Sequence, residues 1–81
     1  MTQTPFLITL GNVLKTNRKK AGFSQEAFAH DVGLARSHYG SIERGERNLS
    51  VGKLRDICKV LNLPMSELMQ QVEKDAYDTM V

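Results

Sequence analysis

Between Phe23 and Arg47 the chain reads FSQEAFAHDVGLARSHYGSIERGER, and this stretch constrains the fold more than any other. Two short amphipathic segments meet at Gly33, which interrupts the first after only two turns. A glycine there can adopt the positive φ that a tight helix–helix turn requires. Ser24 is placed to cap the first segment, with Gln25, Glu26 and Ala27 in its opening turn. Phe28, Ala29 and Val32 supply its inward face, and Leu34 plugs the corner.

The second segment, from about Arg36 to Arg44, can be read by angle. Ala35, Tyr39 and Ile42 fall within about 60° of one another and are expected to be buried. Arg36, Ser37, Gly40, Ser41 and Arg44 fall within about 140° on the other side. Better helix formers would fill an ordinary exposed face. Gly40 alone sacrifices roughly 1 kcal/mol relative to alanine. Small side chains let the helix axis lie deep in a groove, with Arg36 and Arg44 reaching from the two ends. Alternatively, Gly40 serves close packing against another helix.

The flanking segments complete an all-α domain of five helices. Pro5 or Phe6 opens the first, whose inward face is Leu7, Leu10, Leu14, Arg18 and Ala21. Gly22 stops it and Phe23 packs back toward the core. After Gly45 and a polar loop anchored by Leu49, Ser50 caps a fourth helix with apolar Val51, Leu54, Ile57, Cys58 and Leu61. Asn62 ends it and Leu63-Pro64 turn the chain. Ser66 is expected to cap a fifth helix carrying Leu68, Met69 and Val72. The domain spans 1–81, with a core of about 6–74. The tail from 75 lacks a clear period and is expected either to fray or to add Tyr77, Met80 and Val81 to an interface.

Length and charge narrow the function. A chain of 81 residues has room for one core, and at this size only about 60% of the unfolded surface is buried, so association helps. Net charge is +2 but unevenly spread: residues 15–59 hold ten basic against five acidic residues, and residues 60–81 one against four. The middle suits a polyanion and the end does not. Cys58 is the only cysteine, which fits a reducing, cytoplasmic location. No apolar run approaches a membrane span, and the N-terminus has no basic signal-peptide region. His30, His38 and Cys58 do not share metal-ligand spacing. No acid is placed to orient His38 beside Ser37 and Ser41, so catalysis is not expected. No cofactor or small-molecule ligand is implied.

The stretch from Ser24 to Leu68 resembles the Cro/phage-repressor, or XRE-type, helix-turn-helix family. The matching features are Ser24-Gln25-Glu26, Ala29, Gly33, Arg36-Ser37, Ile42-Glu43-Arg44-Gly45, Leu54, Leu61 and Ser66-Glu67-Leu68, within a likeness running from about Leu10 to Met69. Two positions depart from the pattern: Ala35 replaces the usual Ser, Thr or Asp cap, and Leu49 a frequent proline. The resemblance implies a lambda-repressor-like bundle in which the second and third helices form the helix-turn-helix. It implies that Arg36, Ser37 and Ser41 touch base edges and that Ser24, Gln25, Arg44 and Arg47 hold phosphates. His38, at the edge of the reading face, is either a contact to a phosphate or base or, the preferred reading, an ordinary surface histidine, and Gly40 is a further candidate contact on that face. Arg18 and Glu43 match a partly buried ion pair bridging the first and third helices. A glutamate such as Glu26 can touch RNA polymerase in activating members, although such a glutamate is more often a solvated residue favoured by the dipole at a helix start.

The expected partner is therefore double-stranded DNA, bound by a homodimer through Leu68, Met69 and Val72 on a partly palindromic operator. A chain that stops soon after its fifth helix resembles restriction–modification controller proteins, which regulate their own operon by occupancy. A phage Cro-like repressor and an antitoxin-type interaction module are the alternatives.

Overall fold

The computed structural model describes the backbone of residues 5–80 and the side chains of residues 5–75. Five helices follow one another with short connections: α1 (Pro5–Lys20), α2 (Gln25–Asp31), α3 (Arg36–Glu43), α4 (Val51–Leu61) and α5 (Met65–Met80). No strand occurs among the described residues. This is the all-α bundle that the spacing predicts.

Local chemistry sets each boundary. Ser24 and Ser50 cap α2 and α4, their hydroxyl oxygens accepting from the Ala27 and Lys53 amides at 3.1 Å; such caps stabilise by about 1 kcal/mol each. Gly33 takes φ +77°, and the Leu34 amide then donates back to the Ala29 carbonyl at 2.9 Å, closing the turn between α2 and α3. Asn62 ends α4 at φ 54°.

The core joins all five helices through Leu10, Val13, Leu14, Phe28, Ala29, Val32, Tyr39, Ile42, Ile57, Cys58, Leu68 and Val72. Phe28 stands between Phe23 and Tyr39, with ring centroids 5.3 and 5.2 Å away, in the tilted arrangements aromatic pairs prefer. α1 is the central element, packed on both α3 and α5. Lys53 adds a polar tie, donating to the Val32 carbonyl at 2.9 Å and so fastening the start of α4 to the end of α2.

Several expectations are corrected. Ala21 lies beyond the end of α1 and is exposed, and Val13 joins the inward face instead. Ala35 is exposed because it precedes α3, where the chain is still extended. Val51 continues the apolar stripe of α4, yet it is 73% exposed because it is that helix's first residue. Ser66 does not cap α5. The helix begins at Met65, the Pro64 carbonyl accepting from the Glu67 and Leu68 amides, and Ser66 lies within the first turn. Leu68 and Val72 are fully buried within the chain. They sit in the core where α5 packs on α1 and α4. Met69 remains half-buried. α5 continues through the aperiodic tail to Met80, while the side chains of Tyr77 and Met80, and all of Val81, lie outside the described residues.

Gly11 is the contact point between α1 and α3. A Cβ there would lie 2.7 Å from the Ile42 carbonyl oxygen and nearer still to that of Glu43. Both are backbone atoms that cannot rotate away. Gly11→Ala is therefore expected to destabilise the fold by about 1–3 kcal/mol, despite alanine's better helix propensity, as read by denaturant unfolding. Stability equal to the parent chain would show that α1 can shift freely on α3.

Candidate nucleic-acid interface

α3 is held from behind by a buried charged network. Arg18 Nε donates to Glu43 Oε2 at 2.6 Å and Nη2 to Oε1 at 3.2 Å; the two side chains are 7% and 3% exposed. These are the residues expected to bridge the first and third helices. Arg18 Nη1 also donates to the Phe23 carbonyl at 2.7 Å. Gln25 Nε2 donates to Glu43 Oε1 at 3.0 Å. One carboxylate thus gathers α1, α2 and α3.

The ionisation of this network follows from its surroundings. Burial, the largest influence, pushes the Glu43 carboxyl up, but Arg18, Tyr39 and Gln25 together hold it below its ordinary value. The hydrogen bond to Glu43 raises Arg18. Desolvation first, then the Glu43 carboxylate, raises the Tyr39 phenol. That hydroxyl is fully buried beside Glu43.

The face of α3 turned away from the core is open at its start and covered farther on. Arg36 and Ser37 are exposed. Ala35 contributes no side-chain cap, so the first amides of α3 point outward without an intrahelical partner. His38 is half-buried, and Arg44 and Arg47 are exposed. Arg44 pairs with Glu46 at 3.1 Å, and that hydrogen bond raises its pKa. Ala35, Ser37, His38, Ser41, Arg44, Glu46 and Arg47 line one shallow groove.

Two predicted site residues sit differently from the helical-angle reading. Gly40 is buried, its Cα facing the Arg44 guanidinium and the Gln25 amide, so it does not present backbone outward. Ser41 is 7% exposed and its hydroxyl donates to the His38 carbonyl at 2.6 Å. It forms the floor of the groove rather than a projecting contact. Gln25 spends its amide N–H inward on Glu43. Ser24 stays exposed at the start of α2. Sequence reasoning missed the Gln25–Glu43 bond and Gly11. Gly11 was detectable, since it continues the stripe of Leu7, Leu14 and Arg18; nothing in the sequence links Gln25 to Glu43.

Among the described residues no group of three His, Cys, Asp or Glu side chains is placed to hold a metal. None of their helices is long and apolar enough to cross a membrane.

Comparison with known proteins agrees with this geometry. The chain is 45% identical over 69 residues to control protein C.MunI from Mycoplasma sp., covering 84% of this chain and 93% of that one. It is 40% identical over 58 residues to the uncharacterized HTH-type transcriptional regulator YazB of Bacillus subtilis (strain 168), covering 72% of this chain and 84% of that one. Among solved structures, the restriction–modification controller protein C.AhdI from Aeromonas hydrophila superimposes with a TM-score of 0.73 at 37% identity, covering 76% of this chain and 94% of its own. Wild-type C.Esp1396I, also a restriction–modification controller, gives 0.84 at 28%, covering 94% and 99%. These relatives are regulators, not enzymes. The helix-turn-helix family model matches residues 14–68, and the chain belongs to the XRE-type helix-turn-helix family of transcriptional regulators.

Proposed function

We propose that this protein is a sequence-specific double-stranded DNA-binding regulator of the restriction–modification controller kind, acting as a homodimer on a partly palindromic operator and regulating its own operon. The observation that carries this reading is the outer start of α3: Arg36 and Ser37 are exposed there, on a helix locked from behind by Arg18 and Glu43. A planar guanidinium on a rigid helix suits the paired O6 and N7 acceptors of guanine. Ser37 reads beside it, with Ser41 in the groove floor and His38 at the rim. Ser24, Gln25, Arg44 and Arg47 surround this face and meet phosphates, which set register without reading sequence. The resemblance to controller proteins in sequence and in fold supports the gene-regulatory role.

A dimer would place two α3 helices in successive major grooves, about 34 Å apart. Met69 is what remains of the interface expected on α5. It lines an apolar groove with Phe6, Leu7, Leu10, Leu49 and Leu54, and Phe6 is 44% exposed beside it. A monomer by sedimentation, both free and on DNA, would remove the symmetric part of the proposal. Glu26, exposed at the start of α2, would be the residue offered to RNA polymerase if the regulator activates.

Selection of bound fragments from random duplex DNA at two salt concentrations tests the whole reading. The expected product is an inverted repeat, and the salt slope gives the number of phosphates neutralised. Arg36→Ala should then lose about 1–3 kcal/mol of discrimination at one position of each half-site, with little change in melting temperature. Equal binding to all sequences by the parent chain would leave no specific reader.

A further inference from the structure

We propose that Gly40 is a positioning residue: its missing side chain lets Gln25 and Arg44 close over α3, which fixes the Arg44 cation where the helix-turn-helix meets phosphate. The inference rests on the DNA-binding reading above. Gly40 lies inside α3 and is buried, although its angle on the helix points it away from Tyr39 and Ile42. Two polar side chains cover it. A Cβ at this position would stand 3.2 Å from Arg44 Nη1, 3.3 Å from Gln25 Oε1 and 3.6 Å from Gln25 Cδ.

The two coverings are not equally free to move. Gln25 reaches from α2 and is tethered by its donated hydrogen bond to Glu43 Oε1 at 3.0 Å, a charge-assisted bond to a buried carboxylate. Arg44 is one turn beyond Gly40 on the same face, so its side chain runs back over the bare position. Its guanidinium also meets Glu46 at 3.1 Å, and the side chain is 58% exposed. An added methyl group must push one of them by a few tenths of an ångström or more, and Arg44 is the one that yields. The glycine thus exchanges helix propensity for a defined cation position. That explains a residue which the helical-angle reading assigns to the DNA-facing side but which has no surface there.

The test is Gly40→Ala in the full chain, measured on the selected operator, on single-base operator variants and on a scrambled duplex, each across a salt series. Melting is followed alongside. The expected result is a melting temperature equal to or above the parent's, because alanine is the better helix former. Affinity should fall by about 3- to 10-fold on every duplex alike, and the slope of log K against log salt should flatten by about 1. The ranking of operator variants should stay unchanged. In an Arg44→Ala background the same substitution should cost little, since the residue it displaces is gone.

A changed ranking of operator variants would mean that position 40 meets bases, and would overturn the proposal. So would parent-like affinity and salt slope, or an equal loss with and without Arg44. A parent chain that binds all duplexes equally would defeat the sequence-specific reading instead. The salt slope and the Arg44 coupling would still report on Gly40 in that case.

Discussion

Glu43→Ala should lower the stability of this protein by about 3–5 kcal/mol, the usual result of stranding one member of a buried ion pair. Arg18 would remain nearly buried with its charge unmatched, and the Gln25 amide would lose its acceptor. A domain of this length holds roughly 4–12 kcal/mol in all, so the substitution removes a large share of it. The melting temperature should fall by roughly 12–40 °C, and specific DNA binding should fail with it because α3 loses its anchor to α1 and α2. An Arg18→Met, Glu43→Leu double substitution should recover most of the stability, since a well-packed apolar replacement avoids the desolvation of both charges. A single variant melting within a few degrees of the parent would show that the pair does not hold α3. The parent protein carries the same dependence in its pH profile. The Glu43 carboxyl is depressed from its ordinary value of 4.5, so the stability it contributes is present above that value. It is lost as the pH falls below it and the folded form takes up the proton. Chemical denaturation at neutral pH and at successively lower values should show this loss, and Glu43→Ala should show less of it.

Most of the local architecture was legible because single residues specify it. Ser24 and Ser50 can satisfy helix amides with their own hydroxyls, Gly33 relieves the strain of a tight turn, and Asn62 tolerates the left-handed region. The pair of Arg18 and Glu43 was legible only through family resemblance, since no period connects residues that far apart. Tertiary covering was the hidden part. A helical angle treats α3 as an isolated cylinder and puts Gly40 and Ser41 outside, but Gln25 arrives from another helix to lie over one, and the other turns its hydroxyl into its own backbone. The same limit explains Val51, which falls on the apolar stripe of α4 but at its exposed first position. For the candidate site, the sequence pointed to Arg36, Arg44 and Arg47, all exposed in the structure; it did not show that Gln25 and Arg44 close over Gly40.

Leu68→Ala is expected to cost about 2–5 kcal/mol, the range for truncating a large buried aliphatic side chain. Period alone marks Leu68, Met69 and Val72 as an apolar face without naming what it meets, and an acidic, apolar last helix suits a dimer contact equally well. The packing assigns two of the three to the chain itself: Leu68 and Val72 are fully buried, α5 lies along α1, and Asn17 donates to Gln71 Oε1 at 2.9 Å across the same seam. A core residue and an interface residue leave different signatures. If Leu68 belongs to the core, the variant's melting temperature should drop by roughly 8–40 °C at every protein concentration. The self-association constant, measured below that melting point by sedimentation, should match the parent's. If Leu68 belonged to an interface, the variant would dissociate at concentrations where the parent stays associated, and its deficit would shrink as protein concentration rose. That second outcome would return Leu68 to the subunit contact and reopen the packing of α5 on α1. The first leaves the half-buried Met69, at the edge of the groove with Phe6 and Leu49, as the residue of the three whose substitution should weaken a dimer without unfolding the protomer.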